Sequence, residues 1–236
     1  MKQKRMVGTV QEAVYEELKK GIMTLKLEPG CEISTQEIAK KLTVSRTPVR
    51  EAFIRLQREG LVESIPQRGT VVSRIDLKRV EQERFIRECL ELAVVQPFLE
   101  KCTPEHFAML HQFLEEQRQF CREKNFAEFV HSDNRMHKLF FTVAGQELAW
   151  DTISNVTGHY YRIRILTVQN EKTIQGTLRQ HEEIVRLMEE GRSEDAREEM
   201  SVHVKKLNYE KMELVQQNAD YFVSGEEPTG LQIGSL

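Results

Sequence analysis

Cysteine is scarce in this chain of 236 residues, and the four present are scattered. Cys31, Cys89, Cys102 and Cys121 make no CxxC pair and no zinc-finger spacing. They read as the free, reduced thiols of a cytosolic protein rather than as a disulfide frame. Long apolar runs are missing as well. Nothing approaches the ~20 residues that a spanning helix needs, so no membrane partner is expected. The opening Met1-Lys2-Gln3-Lys4-Arg5-Met6 is basic, but no apolar stretch of the secretory kind follows it. The expected location is therefore cytoplasmic. Strands are also rare: beyond Ile75 no segment alternates convincingly between apolar and polar. No internal repeat and no nucleophile motif is visible.

The charge that is present is unevenly placed. Residues 1–75 hold 14 Lys and Arg against 9 Asp and Glu, a balance of +5, whereas the remainder holds 20 against 28, a balance of −8. A basic N-terminal third on an acidic remainder suggests a nucleic-acid-binding module joined to something else.

Val10, Val14, Leu18 and Ile22 recur every four residues, one face of an amphipathic helix. Glu28-Pro29-Gly30 breaks the chain. Ser34-Thr35-Gln36-Glu37 has the form of a capping box and predicts a short helix with Ile38 and Leu42 inward. After Thr43-Val44, Ser45 is a good N-cap for a third helix, with Pro48 in its first turn, Val49, Phe53 and Leu56 on one face, and Gly60 closing it. The period then changes to two. Residues 61–65 and 70–75 read as short strands joined by Pro66-Gln67-Arg68-Gly69. Three helices followed by a hairpin is the layout of a winged helix-turn-helix over residues 1–75.

In such a motif the N-terminal residues of the second, reading helix enter the major groove of double-stranded DNA. Arg46 and Arg50 are i,i+4 and project from one face, while Val49, Phe53 and Leu56 hold the other on the core. An arginine can bond guanine bidentately, worth ~1–3 kcal/mol of discrimination. Ser45 and Thr47 can bond phosphates or base edges, and Arg68 beside Gly69 stands at the wing tip. On an arbitrary helix, two such arginines would more commonly be a solvated face.

The run Ile33-Ser34-Thr35-Gln36-Glu37-Ile38-Ala39, then Ser45-Arg46-Thr47-Pro48-Val49-Arg50-Glu51-Ala52, Leu56, Gly60-Leu61-Val62 and Gln67-Arg68-Gly69-Thr70-Val71-Val72, resembles the GntR family of bacterial regulators over about residues 8–75. The resemblance implies that Arg46, Thr47, Arg50 and the pair Arg68-Gly69 meet DNA. Many members of the family also place a DNA-contacting arginine on the second helix. Gln36 stands at that place here, a departure that bears on the operator sequence rather than on binding.

From Asp76 onward, amphipathic segments cover 77–101, 104–123, 125–143, 147–168, 171–190 and 193–216, which predicts an antiparallel six-helix bundle over 76–216. Residues 217–236 have little periodicity and are expected to be disordered. Seven histidines fall in the second region. Asp133 and His137 are i,i+4 and share a face; the patterns around His181 and His203 place both near the inner side of the last two helices. Convergent imidazoles and a carboxylate suit a divalent transition metal, zinc first, with nickel or manganese as alternatives. The spacing alone fits core histidines bonded to backbone equally well. His106, His111 and His131 read as surface residues. Arg87 faces the bundle, either to bind a ligand carboxylate or to pair with Glu91 at i,i+4. Asn155, His159, Tyr160 and Arg162 are further polar candidates for a pocket.

Arg87-Glu88-Cys89-Leu90-Glu91, Asp133-Asn134-Arg135-Met136-His137, Ala144-Gly145, Gln180-His181 and Met200-Ser201-Val202-His203 are similar, in order, to the landmarks of the metal-binding effector (FCD) domain of the FadR-type branch of that family. The resemblance implies a metal held by Asp133, His137, His181 and His203 with coordination positions left open. It also implies a homodimer joined through the first and fourth bundle helices. A count of six helices is closer to the vanillate-regulator subgroup than to the longer seven-helix form. The combined expectation is a metabolite-responsive regulator, by default a repressor, that reads a palindromic operator as a dimer and senses a small carboxylate. Two other readings stay open at this point: a metal-dependent enzyme using Glu182 or Glu183 as base, and a bundle that only dimerises.

Overall fold

The computed structural model describes residues 10–206 and 211–223. The basic Met1–Met6 segment and residues 224–236 lie outside the described residues. The chain divides into two compact units: the first runs up to Ile75 and includes Asp220–Val223, and the second begins at Asp76.

In the first unit, α1 (Val10–Met23) leads through β1 (Glu32–Ile33) to α2 (Thr35–Leu42) and α3 (Arg46–Arg58), followed by β2 (Val62–Ile65) and β3 (Gly69–Val72). The core is the expected one: Val14, Leu18 and Ile22 of α1 pack with Val49, Phe53 and Leu56 of α3. Val10, the first residue of α1, is exposed instead. Ser34 caps α2 by accepting from the Glu37 N–H at 3.4 Å. Ser45 holds the N-cap position of α3, but its hydroxyl makes no capping bond. Ser45 is exposed together with Arg46 and Thr47. Gly60, with φ of +72°, ends α3 in the left-handed region that glycine adopts without strain.

The hairpin gains a partner that the sequence pattern does not announce. β1 pairs antiparallel with β3, Glu32 opposite Val71 and Ile33 opposite Thr70, giving a three-stranded sheet in the order β1-β3-β2. Two residues are too few to show alternation, which is why β1 is silent in the sequence.

The second unit comprises α4 (Leu77–Lys101), α5 (Pro104–Glu123), α6 (Phe126–Ala144), α7 (Glu147–Val156), α8 (Gly158–Thr167), α9 (Glu171–Glu189), α10 (Ser193–Lys205) and α11 (Lys211–Gln217). The single helix expected over 147–168 is two. At Thr157 the backbone leaves helical geometry (φ −99°, ψ 35°), while both its N–H and its hydroxyl bond back to the Ile153 carbonyl. β-Branched Val156 and Thr157 followed by Gly158 form a weak point in any helix. Seven helices therefore cover Leu77–Lys205, and the helix count no longer favours the six-helix subgroup. Of the segment expected over 193–216, Ser193–Lys205 forms α10 and Lys211–Gln217 forms α11, while residues 207–210 lie outside the described residues.

The expectation of a disordered tail fails for its first residues. Ala219–Tyr221 forms a 3-10 turn, and Phe222 is buried. The Ile75 N–H donates to the Tyr221 carbonyl at 2.7 Å, the Val223 N–H donates to the Ile75 carbonyl at 3.1 Å, and Arg74 Nε donates to the Asp220 carbonyl. One buried aromatic and three hydrogen bonds supply the order that composition alone does not suggest.

Candidate nucleic-acid interface and metal centre

The exposed first turn of α3 and the wing face a common groove. It is lined by Ser34, Gln36, Arg46, Arg50, Arg68 and Gly69, with Glu32 and Glu37 at its side. Ser45, Arg46, Thr47 and Arg50 are all exposed, and neither Arg46 nor Arg50 forms an ion pair with another described residue. Arg68 sits between Gln67 (φ +65°) and Gly69 (φ +88°), in the turn between β2 and β3, and its Nε donates to Glu32 Oε1 at 2.8 Å. Both partners of that pair are about half exposed. An ion pair in such surroundings is worth little, so Arg68 can exchange the carboxylate for a phosphate at small cost.

The second site is built in the opposite way. α6 places Asp133 and His137 one turn apart, α9 supplies His181 and α10 supplies His203. One ligand atom from each of the four lies within 4.8 Å of the others. His137 Nε2 is 3.5 Å from Asp133 Oδ1, His181 Nε2 is 3.4 Å from Asp133 Oδ2, and the Nε2 atoms of His181 and His203 are 3.4 Å apart. Asp133, His137 and His181 are fully buried.

The outer partners orient this set. Gln117 Oε1 accepts from His181 Nδ1 at 2.6 Å, and Glu91 Oε2 lies 3.0 Å from His137 Nδ1. A proton held on His181 Nδ1 leaves its Nε2 lone pair facing inward, the arrangement in which imidazole binds a metal, and Glu91 stands at the corresponding outer place beside His137. Both Asp133 oxygens, both His137 nitrogens and His203 Nδ1 are buried without a hydrogen bond of good geometry. Buried polar atoms are costly when unmatched. A cation drawn to the centre would satisfy the inward-facing ones, so the donor set fits the metal.

Charge reinforces the same picture. Burial alone would raise the Asp133 carboxyl, but the Arg164 guanidinium, with His181, His137 and Arg87, holds it well below the usual range. Burial also opposes ionisation of Glu91, yet Arg87 and His137 bring it to about 2. Burial pushes His181 down to about 3 against the pull of Asp133, and it lowers His203 strongly, with His181 and His137 adding to the effect. The carboxylates are ionised and the His181 and His203 imidazoles neutral, the protonation states that metal ligands require.

Beside the quartet stand two arginines. Arg87 Nε bonds Glu91 Oε1 at 2.6 Å, its NH1 donates to Asn134 Oδ1 at 3.2 Å, and its NH2 lies 3.6 Å from Asp133 with no hydrogen bond. Both roles foreseen for Arg87 thus coexist: it pairs with Glu91 and keeps one donor unused. Arg164, absent from the sequence reading, pairs with Asp133 Oδ2 and donates to Asn134 Oδ1 at 2.9 Å. Its i,i+4 relation to Tyr160 was the available signal: the Tyr160 ring lies near both guanidinium groups, 5.6 Å from Arg87 and 5.8 Å from Arg164. Of the other polar candidates, His159 and Arg162 are buried at the start of α8 and bond each other, and Asn155 is exposed. His111 and His131 are on the surface, and His106 closes a capping box with Thr103 at the start of α5. Glu182 and Glu183 are engaged by Arg118 and Arg186 away from the quartet.

Two matches to known sequence families coincide with this division. Residues 10–72 match the bacterial regulatory proteins of the gntR family, and residues 84–206 match the FCD domain. The chain belongs to the GntR family. It is 31% identical over 213 residues to the HTH-type transcriptional repressor RspR of Escherichia coli K12, covering 90% of this chain and 93% of that one. An uncharacterised HTH-type regulator of Streptomyces ambofaciens is 33% identical over 197 residues, 84% of this chain and 83% of its own. Among solved structures, E. coli McbR/YncC shares the fold at a TM-score of 0.74 and 19% identity, over 89% of this chain and 99% of that one. This GntR-family protein is therefore a transcriptional regulator with an FCD domain, and not an enzyme. Among the described residues no helix is long and apolar enough to cross a membrane.

Proposed function

We propose that this regulator is a cytoplasmic homodimeric repressor that reads a palindromic operator and releases it when a small carboxylate metabolite enters the FCD domain. Ser45, Arg46, Thr47 and Arg50 read or grip the DNA from the start of α3, and Arg68 with Gly69 does so from the wing. A dimer doubles the few base pairs that one reading helix can specify. Phe85 on α4 and Leu148 on α7, the first and fourth helices of the second unit, are large exposed apolar side chains, and they support pairing through those helices.

The observation that carries the sensing half is the buried quartet of Asp133, His137, His181 and His203 beside an arginine with an unused donor. Those four residues hold a divalent transition metal, zinc first, and Arg87 receives the carboxylate of the metabolite. The bound metal supplies Lewis acidity toward an anionic ligand. Effector binding changes operator affinity through a coupling of ~1–3 kcal/mol.

The test is elemental analysis of wild type and His137→Ala, purified without added metal or chelating resin, followed by operator binding in the presence of titrated carboxylates. About one equivalent of metal in the wild type, lost in the variant, is expected. A protein that takes up no metal even after soaking in zinc, nickel and manganese would sink the metal reading. Operator affinity unmoved by every carboxylate that demonstrably binds would sink the release mechanism.

A further inference from the structure

The break at Thr157 creates α8 as a short separate helix, and its two ends do different things. Toward the buried site, α8 presents Tyr160 and Arg164, one turn apart: Arg164 pairs with Asp133, and Tyr160 lies beside Arg87 and Arg164. At its start, α8 has no side-chain cap of its own. A helix that begins this way leaves backbone N–H groups without partners. Glu83 of α4 supplies one, its Oε2 accepting from the Tyr160 N–H at 2.8 Å.

His159 faces the other direction. Its Nδ1 accepts from the backbone N–H of Asp76 at 3.1 Å and lies 3.2 Å from Arg162 NH2. Two donors on one nitrogen require the neutral ring with its proton on Nε2. Burial, with the charges of Arg162 and Arg79, pushes His159 down to about 3, so the ring stays neutral and accepting throughout the physiological range. Asp76 is the first residue of the second unit. Its own side chain caps α4 by accepting from Lys78 and Arg79, and the preceding residue, Ile75, is held by Tyr221 and Val223 in the first unit. The backbone bond to His159 thus falls where the chain leaves the DNA-binding unit.

We infer that α8 is the relay between the sensing site and the DNA-binding unit, and that His159 is its positioning residue, transmitting movement of Arg164 and Tyr160 to the backbone of Asp76. The inference rests on the sensing role proposed above but does not depend on which effector is sensed. A helix of ten residues spans about 15 Å and moves as a rigid body. Release of Arg164 from Asp133 would therefore shift both ends of α8 together. The His159–Asp76 bond is the contact through which such a shift would reach residues 74–80.

Hydrogen exchange of the full-length protein, read on peptides spanning residues 74–80 and 158–166, tests the relay. The site is perturbed in two independent ways: zinc added to chelator-stripped protein, and Arg164→Gln without metal. In the wild type each perturbation is expected to change exchange in both peptides, by threefold or more at 74–80. In His159→Ala the α8 peptide still responds, while 74–80 exchanges fast and no longer follows. His159→Asn places an amide oxygen near the position of Nδ1 and restores the response, which a general loss of packing would not allow. A response at 74–80 that survives in His159→Ala overturns the relay, as does a wild type in which α8 or residues 74–80 ignore both perturbations. Failure to bind zinc, measured by elemental analysis on the same samples, instead removes the metal reading and leaves Arg164→Gln to decide the relay alone.

Discussion

The two functional regions use the same side chains under opposite conditions. In the groove of the first unit, Arg46, Arg50 and Arg68 stand in water, the first two with no ion pair among the described residues and the third held by one half-exposed carboxylate. In the second unit, Arg87 and Arg164 are buried and already matched to Glu91, Asp133 and Asn134. An exposed guanidinium gains its energy only when a phosphate or base arrives, whereas a buried one must be paired before anything binds. The groove is therefore tuned by its solvent, and the buried site by its own partners.

Salt separates the two most sharply. A protein making ~6–10 phosphate contacts loses roughly 10³–10⁵ in DNA affinity between about 50 and 200 mM salt, because binding releases condensed counterions. Thermal stability of the second unit should move little over the same range, since ion pairs out of reach of solvent are poorly screened. Titrations of both quantities in one salt series check this. A flat DNA response would overturn the assignment of the groove.

Breaking the buried side costs the fold rather than the binding. Asp133→Ala leaves Arg164 and Arg87 without their shared carboxylate, and removing one partner of a buried pair costs ~3–5 kcal/mol. At about 2–4 °C per kcal/mol for a chain of this size, the melting temperature of metal-free protein should fall by roughly 10 °C. Breaking the exposed side does the reverse. Arg50→Ala should cost ~1–3 kcal/mol of discrimination between operator and unrelated DNA, with an unchanged melting temperature. Footprinting that still shows a protected site at wild-type concentrations would remove Arg50 from the reading surface.

The contrast also explains what was legible in the sequence. The first turn of α3 is a local device: Ser45, Arg46, Thr47 and Arg50 lie within six residues, and their spacing alone fixes which face they share. Asp133 and His137 were legible for the same reason, and His181 and His203 because apolar neighbours fix the inward side of α9 and α10. Arg164, Gln117 and the tie between Glu91 and His137 were not. Each depends on which helix faces which, and a charged residue on a helix reads as solvated until its partner from another element is known. The break at Thr157 was missed because the apolar spacing of α7 and α8 runs on across it. The order of Ala219–Val223 was missed because the strand bridge from Phe222 reaches back to Ile75, more than a hundred residues earlier.

Glu83 gives the smallest expected effect and the finest test of the buried side. Its carboxyl is pushed up to about 7, chiefly by burial, against the opposing pull of the Tyr160 N–H and Arg79. In the unfolded chain it titrates near 4.5, so between about 4.5 and 7 the folded state binds more protons, and stability falls as pH rises through that window. His159 works in the opposite sense: with a folded value of about 3 against 6.5 unfolded, it stabilises fully above 6.5 and loses that contribution as pH falls toward 3. From about 6.5 to 7 only the Glu83 slope remains. Glu83→Gln keeps an oxygen to accept from the Tyr160 N–H but cannot ionise. Relative to wild type it should gain roughly 1–2 kcal/mol between pH 5 and pH 8, read from denaturant midpoints at each pH. The acid-side loss due to His159 should be the same in both proteins, because that ring is held by Asp76 and Arg162 rather than by Glu83. A variant whose stability relative to wild type does not change with pH would mean that Glu83 is already ionised in the fold, with Arg79 and the helix start outweighing its burial.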